Sequence, residues 1–476
     1  MIFNEANGHV VALGTRTMLL HVPTTALFEL DDLGADVLRA VRERGSAEPE
    51  QLAATLGPAY GSEPVRAFIE RMMSLQVLQS SGREQPVNPQ RIQVETYPLS
   101  TLVLNVNTGC NLGCRYCYKE DLAVPAAGMR MSSEVALRSV ELLLEQARGR
   151  RRQVGIVFFG GEPLTNMPLI REVVQYAEQR AEQTGIAVEF SLTTNATLLT
   201  ETIIDWLNAH RFGISVSIDG PRAIHDRNRR TVGGGATYQV VSRKARLLLE
   251  RYRAKPIGAR VTLTAGTTEV EQIHQHLRGE LGFHEVGYAP VTAAEQAGHA
   301  LSSEELNEVY QGFERLGRDY LAAALAGGSN GFSNLHQLMT DLHEGRRKAL
   351  PCGAGVGLLA VDHQGELNLC HRFTGSDLPT FGNVTEGIDA AALGSFLQQA
   401  AERSGTHCET CRIRNLCAGG CYHESWMRYG DPHHKTYHYC ELLRRWVDFG
   451  IAVFSEISAR NPGYFESHIE SRRAVA

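Results

Sequence analysis

A chain of 476 residues with 43% hydrophobic residues, 47 Lys+Arg and 53 Asp+Glu carries a net charge of −6. It is long enough for two to four domains with a sizeable core, and its charge balance excludes a nucleic-acid or anionic-membrane binder that works through bulk charge. No apolar run approaches the roughly 18–20 residues that span a bilayer, and residues 1–7 lack the basic and apolar regions of a signal peptide, so a cytoplasmic address is expected.

Residues 1–83 open with two apolar, β-prone runs at 9–13 and 17–22. Asp31 and Asp32 then start a helical pattern in which Leu33, Val37, Leu38 and Val41 recur at spacings of three and four. Residues 49–56 predict a second short helix and residues 64–78 a third, with Val65, Phe68, Ile69, Met72 and Met73 on one face. Short strands with three small helices predict a winged-helix-like module. The polar, proline-containing stretch 82–89 reads as a linker.

Residues 98–300 alternate strands with helices. Strands are expected at 101–106, 155–159, 187–192, 213–218, 259–264 and 285–290, and helices at 133–147, 169–183, 200–209, 238–252 and 268–281. That alternation implies an α/β fold of parallel strands joined by helical crossovers, a partial (β/α)6 barrel. Helices at 302–325 and 334–342 make a bridge over 301–350. Residues 351–445 are rich in Gly and Cys, and a last helix is expected at 439–457, followed by the tail of a C-terminal segment 446–476. The basic cluster 148–152 reads as a solvated helix end.

The ten cysteines are segregated. Cys110, Cys114 and Cys117 form one tight group, and the other seven lie between Cys352 and Cys440. A reducing compartment disfavours structural disulfides, so metals or catalysis are the expected uses. Three thiolates after the first barrel strand fit a four-iron cluster with one iron left open; a zinc site with a remote fourth ligand is the alternative. The end of a barrel strand is where such folds place reactive groups.

The motif Cys110-x3-Cys114-x2-Cys117, with Tyr116 before the third cysteine, resembles the signature of radical S-adenosylmethionine (SAM) enzymes. The resemblance implies a [4Fe–4S] cluster whose open iron takes SAM, and reductive cleavage of SAM to a 5′-deoxyadenosyl radical. Gly160, Gly161, Glu162 and Pro163 close the second strand and resemble the family's Gly-Gly-Glu-Pro motif, which holds the SAM amino group. Thr194 and Asn195 after the third strand, with Ser217 and Asp219 after the fourth, correspond to contacts with the SAM ribose and carboxylate. His225-Asp226-x-x-Arg229 matches a family motif that makes Arg229 the candidate for the carboxylate.

Cys352, Cys370, Cys408-x2-Cys411-x5-Cys417-x3-Cys421 and Cys440 resemble the SPASM domain of peptide-modifying radical SAM enzymes, with a zinc module as the rival. The resemblance implies two auxiliary [4Fe–4S] clusters, three in all. Cys408, Cys411, Cys417 and Cys440 would close one. Cys352, Cys370 and Cys421 would hold the other, with an open iron or a ligand from Asp362, His363 or His371. His371 follows Cys370, where some of these enzymes carry a catalytic base; a hydrogen bond beside the cluster is the alternative.

Fused to such an enzyme, residues 1–83 resemble a peptide-recognition module that adds a leader peptide to its sheet edge, which residues 9–22 would supply; a structural cap is the alternative. Over its length the chain most resembles the maturases of quinohemoprotein amine dehydrogenase. The implied partners are the small subunit of that dehydrogenase, in which Cys sulfur is joined to Asp and Glu side-chain carbons, and a reduced flavodoxin- or ferredoxin-type electron donor. No nucleic-acid or membrane partner is expected. Other peptide or sulfatase-type maturases, and an iron–sulfur or zinc DNA-binding regulator, are the competing readings.

Overall fold

The computed structural model describes residues 1–80, 86, 98–118, 128–294, 297–435 and 438–469. Apart from Pro86, the linker expected at 82–89 lies outside the described residues.

The first 80 residues hold β1 (Ile2–Phe3), β2 (Gly8–Leu13), β3 (Arg16–His21), β4 (Ala26–Leu30), α1 (Asp32–Arg44), α2 (Pro49–Tyr60), α3 (Ser62–Ser74) and β5 (Leu78–Gln79). Asp31 caps α1 by accepting from the Gly34 backbone N at 2.8 Å, and Gly45 ends it in the left-handed region at φ 69°. The third helix stops at Ser74 instead of running on to 78. Gln76 takes a φ of 55°, and the chain turns out into β5, which pairs with β1.

Strand β4 has no clear local signal. Its pattern of Ala-Leu-Phe-Glu-Leu does not alternate, and pairing with β3 makes it a strand, helped by Arg16 holding Glu29 at 2.6 Å. This corrects the expected peptide edge at 9–22. The sheet order is β2-β3-β4, so residues 16–21 are paired on both sides and the free edges are β2 and β4. Strand β3 also separates two cores. Leu19 joins Val37, Leu38, Val41 and Ile69, while Met18, Leu20 and Val22 join the large core of the rest of the chain.

The barrel follows in the expected alternation: β6 (Thr101–Asn105), α4 (Ser133–Ala147), β7 (Gln153–Phe159), α5 (Met167–Thr184), β8 (Ala187–Thr194), α6 (Glu201–Ala209), β9 (Gly213–Ser217), α7 (Arg222–Asn228), α8 (Tyr238–Arg251), β10 (Ile257–Leu263), α9 (Val270–His274) and β11 (Glu285–Pro290). All five pairings among these strands are parallel and run in sequence order. Helix α4 is typical of the packing. Ser132 caps it by accepting from the Val135 N, and Ala136, Val140, Leu143 and Ala147 form its buried face. The helix expected at 268–281 is shorter, because a π-helical turn at Gln275–Glu280 widens the coil after α9.

The C-terminal third adds α10 (Ser303–Leu325), α11 (Ser333–His343), β12 (Leu358–Val361), β13 (Leu367–Asn368), β14 (Gly382–Asn383), β15 (Gly387–Ile388), α12 (Ala390–Ala401), α13 (Arg414–Cys417), α14 (Tyr422–Tyr429), α15 (Cys440–Arg460) and α16 (Gly463–His468). Strand β12 pairs parallel to β6 and β13 antiparallel to β12, so the barrel sheet has eight strands, ordered β11-β10-β9-β8-β7-β6-β12-β13. The first module is bound to this third: Arg414 donates to the Ala6 carbonyl and Asn7 Oδ1, Asn415 donates to the Val22 carbonyl at 2.8 Å, and His9 meets Asp448 at 2.7 Å. Among the described residues no helix is long and apolar enough to cross a membrane.

Candidate active site

The carboxyl ends of the six parallel strands surround a cavity of about 300 Å³. Cys110, Cys114, Tyr116, Cys117, Gly160, Gly161, Glu162, Thr194, Asn195, Ser217, Arg229 and His371 all line it. The cysteine loop is held from two sides. Asn195 Nδ2 approaches Cys110 Sγ at 3.8 Å and Asn111 Oδ1 at 2.9 Å, while the backbone N of Gly113 and of Arg115 donate to the carbonyls of Arg230 and Asn228. Strand ends distant in sequence thus fix one short loop.

Behind the loop the chain is packed to backbone contact. A Cβ on Gly161 would stand 2.0 Å from the Gly109 carbonyl oxygen, and one on Gly160, at φ 136°, would stand 2.2 Å from that of Asn107. Gly161→Ala therefore loses about 1–3 kcal/mol of stability through overpacking, read as a lower denaturant midpoint of the anaerobic protein. Glu162 is 1% exposed and accepts from Asn195 N and Thr194 Oγ1, both at 2.7 Å, and from Leu164 N at 3.2 Å. Burial outweighs these bonds and raises its pKa to about 7.

Asp219, expected to touch the cofactor, does not line the cavity. It is 1% exposed, accepts from Tyr116 OH at 2.7 Å and Thr262 N at 3.1 Å, and meets Arg229 Nε at 3.0 Å. Its oxygens are taken, so it positions Tyr116 and Arg229. The guanidinium lies over the Tyr116 ring at 5.4 Å and beside Cys114. Burial opposes the Arg229 charge, but Asp219, Tyr116 and Cys114 outweigh it and hold the group protonated.

The thiols suit a metal-bound state. Burial pushes Cys110 up to about 12 and Cys114 up to about 11, and Cys110 also feels the two other thiols. Thiolates are costly here without a cation, and a bound metal reverses that preference. All ten cysteines are free of disulfides. Among the described residues no three His, Cys, Asp or Glu side chains converge as ligands of one ion do; a cluster, whose thiolates bind different irons, does not require that.

The radical SAM superfamily profile matches residues 104–277, from β6 through α9. This segment is a radical SAM domain. A cysteine-type anaerobic sulfatase-maturating enzyme of Clostridium perfringens is 31% identical over 163 residues, which is 33% of this chain and 42% of that protein. This chain therefore matches about two fifths of the length of that relative. The serine-type enzyme of Klebsiella aerogenes is 24% identical over 340 residues, 68% of this chain and 80% of that protein. Among solved structures, anSMEcpe with bound AdoMet superposes with a TM-score of 0.66 at 19% identity, covering 76% of this chain and all of the other. SuiB of Streptococcus suis, bound to its precursor peptide SuiA, gives 0.50 at 17% identity, covering 92% of this chain and 99% of the other. These likenesses place the radical SAM domain within a shared fold.

Beyond the radical SAM domain the remaining cysteines fall into two sets. Cys408, Cys411, Cys417 and Cys440 line one small enclosed cavity with Arg414 and Arg444. Cys370 is pushed up to about 12 by burial and feels Cys421 and Cys352, while Cys440 is pushed up to about 11 by burial and feels Cys417, Cys408 and Cys411. Burial pushes the Tyr118 hydroxyl well above its ordinary pKa, Arg372 opposes this, and the hydroxyl also feels Cys117, Cys370 and Cys421. Asp362 Oδ1 accepts from the Gln364 and Glu366 backbone N, so one of its two carboxylate oxygens is tied to a turn. His371 faces the central cavity, its ring 4.3 Å from that of Phe159.

Among the cavity residues that escape the sequence reading are Tyr118, Arg260, Thr292 and Arg372. Arg260 has a usable signal, a charge in the middle of an otherwise apolar parallel strand. The others reach the cavity from loops that only the folded chain brings together.

Proposed function

We propose that the chain is a radical SAM peptide maturase that joins Cys sulfur to Asp or Glu side-chain carbons in the small subunit of a quinohemoprotein amine dehydrogenase. The observation that carries the reading is one cavity in which three grouped thiols, buried Glu162, the polar strand ends and His371 meet. Cys110, Cys114 and Cys117 would hold the SAM-binding [4Fe–4S] cluster. Cys408, Cys411, Cys417 and Cys440 would hold one auxiliary cluster, and Cys352, Cys370 and Cys421 the other, in keeping with the two sets described above. A cluster with SAM supplies a 5′-deoxyadenosyl radical that takes a hydrogen atom from a substrate C–H bond. Glu162 would receive the SAM ammonium, Arg229 the carboxylate, and Thr194, Asn195 and Ser217 the ribose side. A reduced flavodoxin- or ferredoxin-type protein would supply the electron.

The working division is a recognition module at 1–83, the radical SAM barrel at 98–300, a helical bridge at 301–350, the auxiliary-cluster domain at 351–445 and a C-terminal helix and tail at 446–476. Of the two free edges of the first sheet, β4 is the better leader-peptide site, because β2 lies against α15 through His9 and Asp448. His371 would accept the substrate thiol proton as sulfur closes on the carbon radical, with an auxiliary cluster as the acceptor of the surplus electron. His371→Ala then slows crosslinking about 10²-fold or more, with iron content and uncoupled SAM cleavage unchanged; an unaltered crosslinking rate would exclude the base role.

A second reading, formylglycine formation on a sulfatase, is favoured by the sulfatase-maturating relatives. The reconstituted anaerobic chain, given SAM, reductant and each peptide, separates the two by mass spectrometry. A thioether removes two hydrogens, keeps every sulfur in the peptide and gives no aldehyde. Formylglycine made from Ser or from Cys leaves an aldehyde that a hydrazide labels, and when made from Cys it also loses the sulfur.

A further inference from the structure

Two guanidinium groups enter the cavity, and the assignments above leave both unused. Arg260 stands midway along β10, beside Ser217 of β9 and Gly287 of β11. Its strand neighbours Ala259 and Val261 are buried at 1% and 2%, yet Arg260 itself is open to the cavity. Gly287 makes the room: a Cβ there would stand 2.8 Å from Arg260 Nη1. Among the described residues the Arg260 guanidinium makes no hydrogen bond or ion pair; its backbone carbonyl accepts from Ile218 N.

Arg372 comes from the loop after Cys370. It donates to Thr292 Oγ1 at 2.5 Å and lies over the Tyr118 ring at 5.1 Å, and neither contact neutralises it. The surroundings of Arg260 oppose its charge, first by burial and then through Arg372, while Glu285 acts in the opposite sense. Glu424 is felt by Arg372 but is bound to Tyr439 OH at 3.0 Å and His438 at 3.3 Å. No carboxylate of the described residues pairs with either guanidinium. Two like charges facing one cavity raise the free energy of the empty site and favour an anion that enters it. A guanidinium fork matches the two oxygens of a carboxylate.

We propose that Arg260, assisted by Arg372, holds the side-chain carboxylate of an Asp or Glu of the peptide substrate and thereby selects the acidic residue whose neighbouring methylene is modified. The inference rests on the peptide-maturase reading. A carboxylate in this cavity has two sources, the peptide and the amino-acid end of SAM, and the test separates them.

The iron-reconstituted full chain with SAM is titrated with two fluorescein-labelled peptides, one carrying a Cys and an Asp and its twin with Asn in place of Asp. SAM affinity is measured alongside by equilibrium dialysis. The native chain binds the Asp peptide about tenfold or more tightly than its twin. Arg260→Gln abolishes that ratio and leaves SAM affinity within about twofold, whereas Arg260→Lys, which keeps the charge, retains part of the preference. Arg372→Gln shrinks the ratio in the same direction and guards against a folding defect peculiar to position 260. Equal binding of the twins by the native chain overturns the inference alone. A ratio that survives Arg260→Gln while SAM affinity falls about tenfold also overturns it, by giving the carboxylate to SAM. Failure of both peptides to bind overturns the maturase reading and the inference with it.

Discussion

On the proposed three-cluster reading, Cys114→Ala is expected to abolish reductive SAM cleavage and to lower the iron content of the reconstituted chain from about twelve to about eight. Two four-iron clusters would remain in the C-terminal sets, because none of those seven cysteines lines the cavity of Cys110, Cys114 and Cys117, and Cys408, Cys411, Cys417 and Cys440 line a cavity of their own. The loss of activity exceeds what a local packing defect produces. Cys114 lies against Arg229, which in turn binds Asp219 and Tyr116, and that scaffold stays in place without the thiol. Iron counting, 5′-deoxyadenosine assay and far-ultraviolet circular dichroism on one preparation check all parts. Retention of SAM cleavage, or loss of all iron, would contradict the division into three sites.

Glu162→Gln lowers SAM affinity about a hundredfold, the order expected when one partner of a buried charge pair is removed. It also changes the pH dependence. In the ligand-free chain burial holds the Glu162 pKa at about 7, above its ordinary value of 4.5. An ammonium ligand binds the ionised carboxylate, so below pH 7 binding must expel a proton. Affinity of the native chain then falls about tenfold per pH unit as the pH drops below 7 and is level just above it. The Glu162→Gln variant lacks that step. The same shift bears on folding. A carboxyl with a raised folded pKa stabilises the fold below pH 4.5, and that contribution fades as the pH rises through about 7. Without SAM the native chain is therefore more stable near pH 5 than near pH 8 by up to about 3 kcal/mol from this group, a difference the Glu162→Gln variant does not show. Calorimetric SAM titrations and denaturant melts at several pH values measure both effects.

Much of the barrel is legible in the chain because its signals are local. Each strand from β6 to β11 is a compact apolar run followed by a helical pattern, and residues next to a strand's carboxyl end face the same opening. Contiguous motifs such as Gly160-Gly161-Glu162 thus carry their placement with them. What escapes depends on partners far away in sequence. Strand β4 exists through β3, and β12 through β6, which lies on the other side of the whole barrel sequence. Asp219 reads as a cofactor contact because it follows a strand, but Tyr116 and Arg229 claim it first. Arg372 is aimed by Thr292 and Tyr118, which no local pattern links to it.

The pairing of β12 with β6 makes the two halves of the molecule inseparable in a practical sense. A fragment ending before Leu358 would leave Thr101–Asn105 with a bare row of amide and carbonyl groups at the margin of a hydrophobic wall of strands. Such a fragment is expected to self-associate through that margin instead of persisting as a free-standing catalytic half. Shuffling the cysteine-rich tail among relatives therefore succeeds only where the graft carries its own strand to seal the seam.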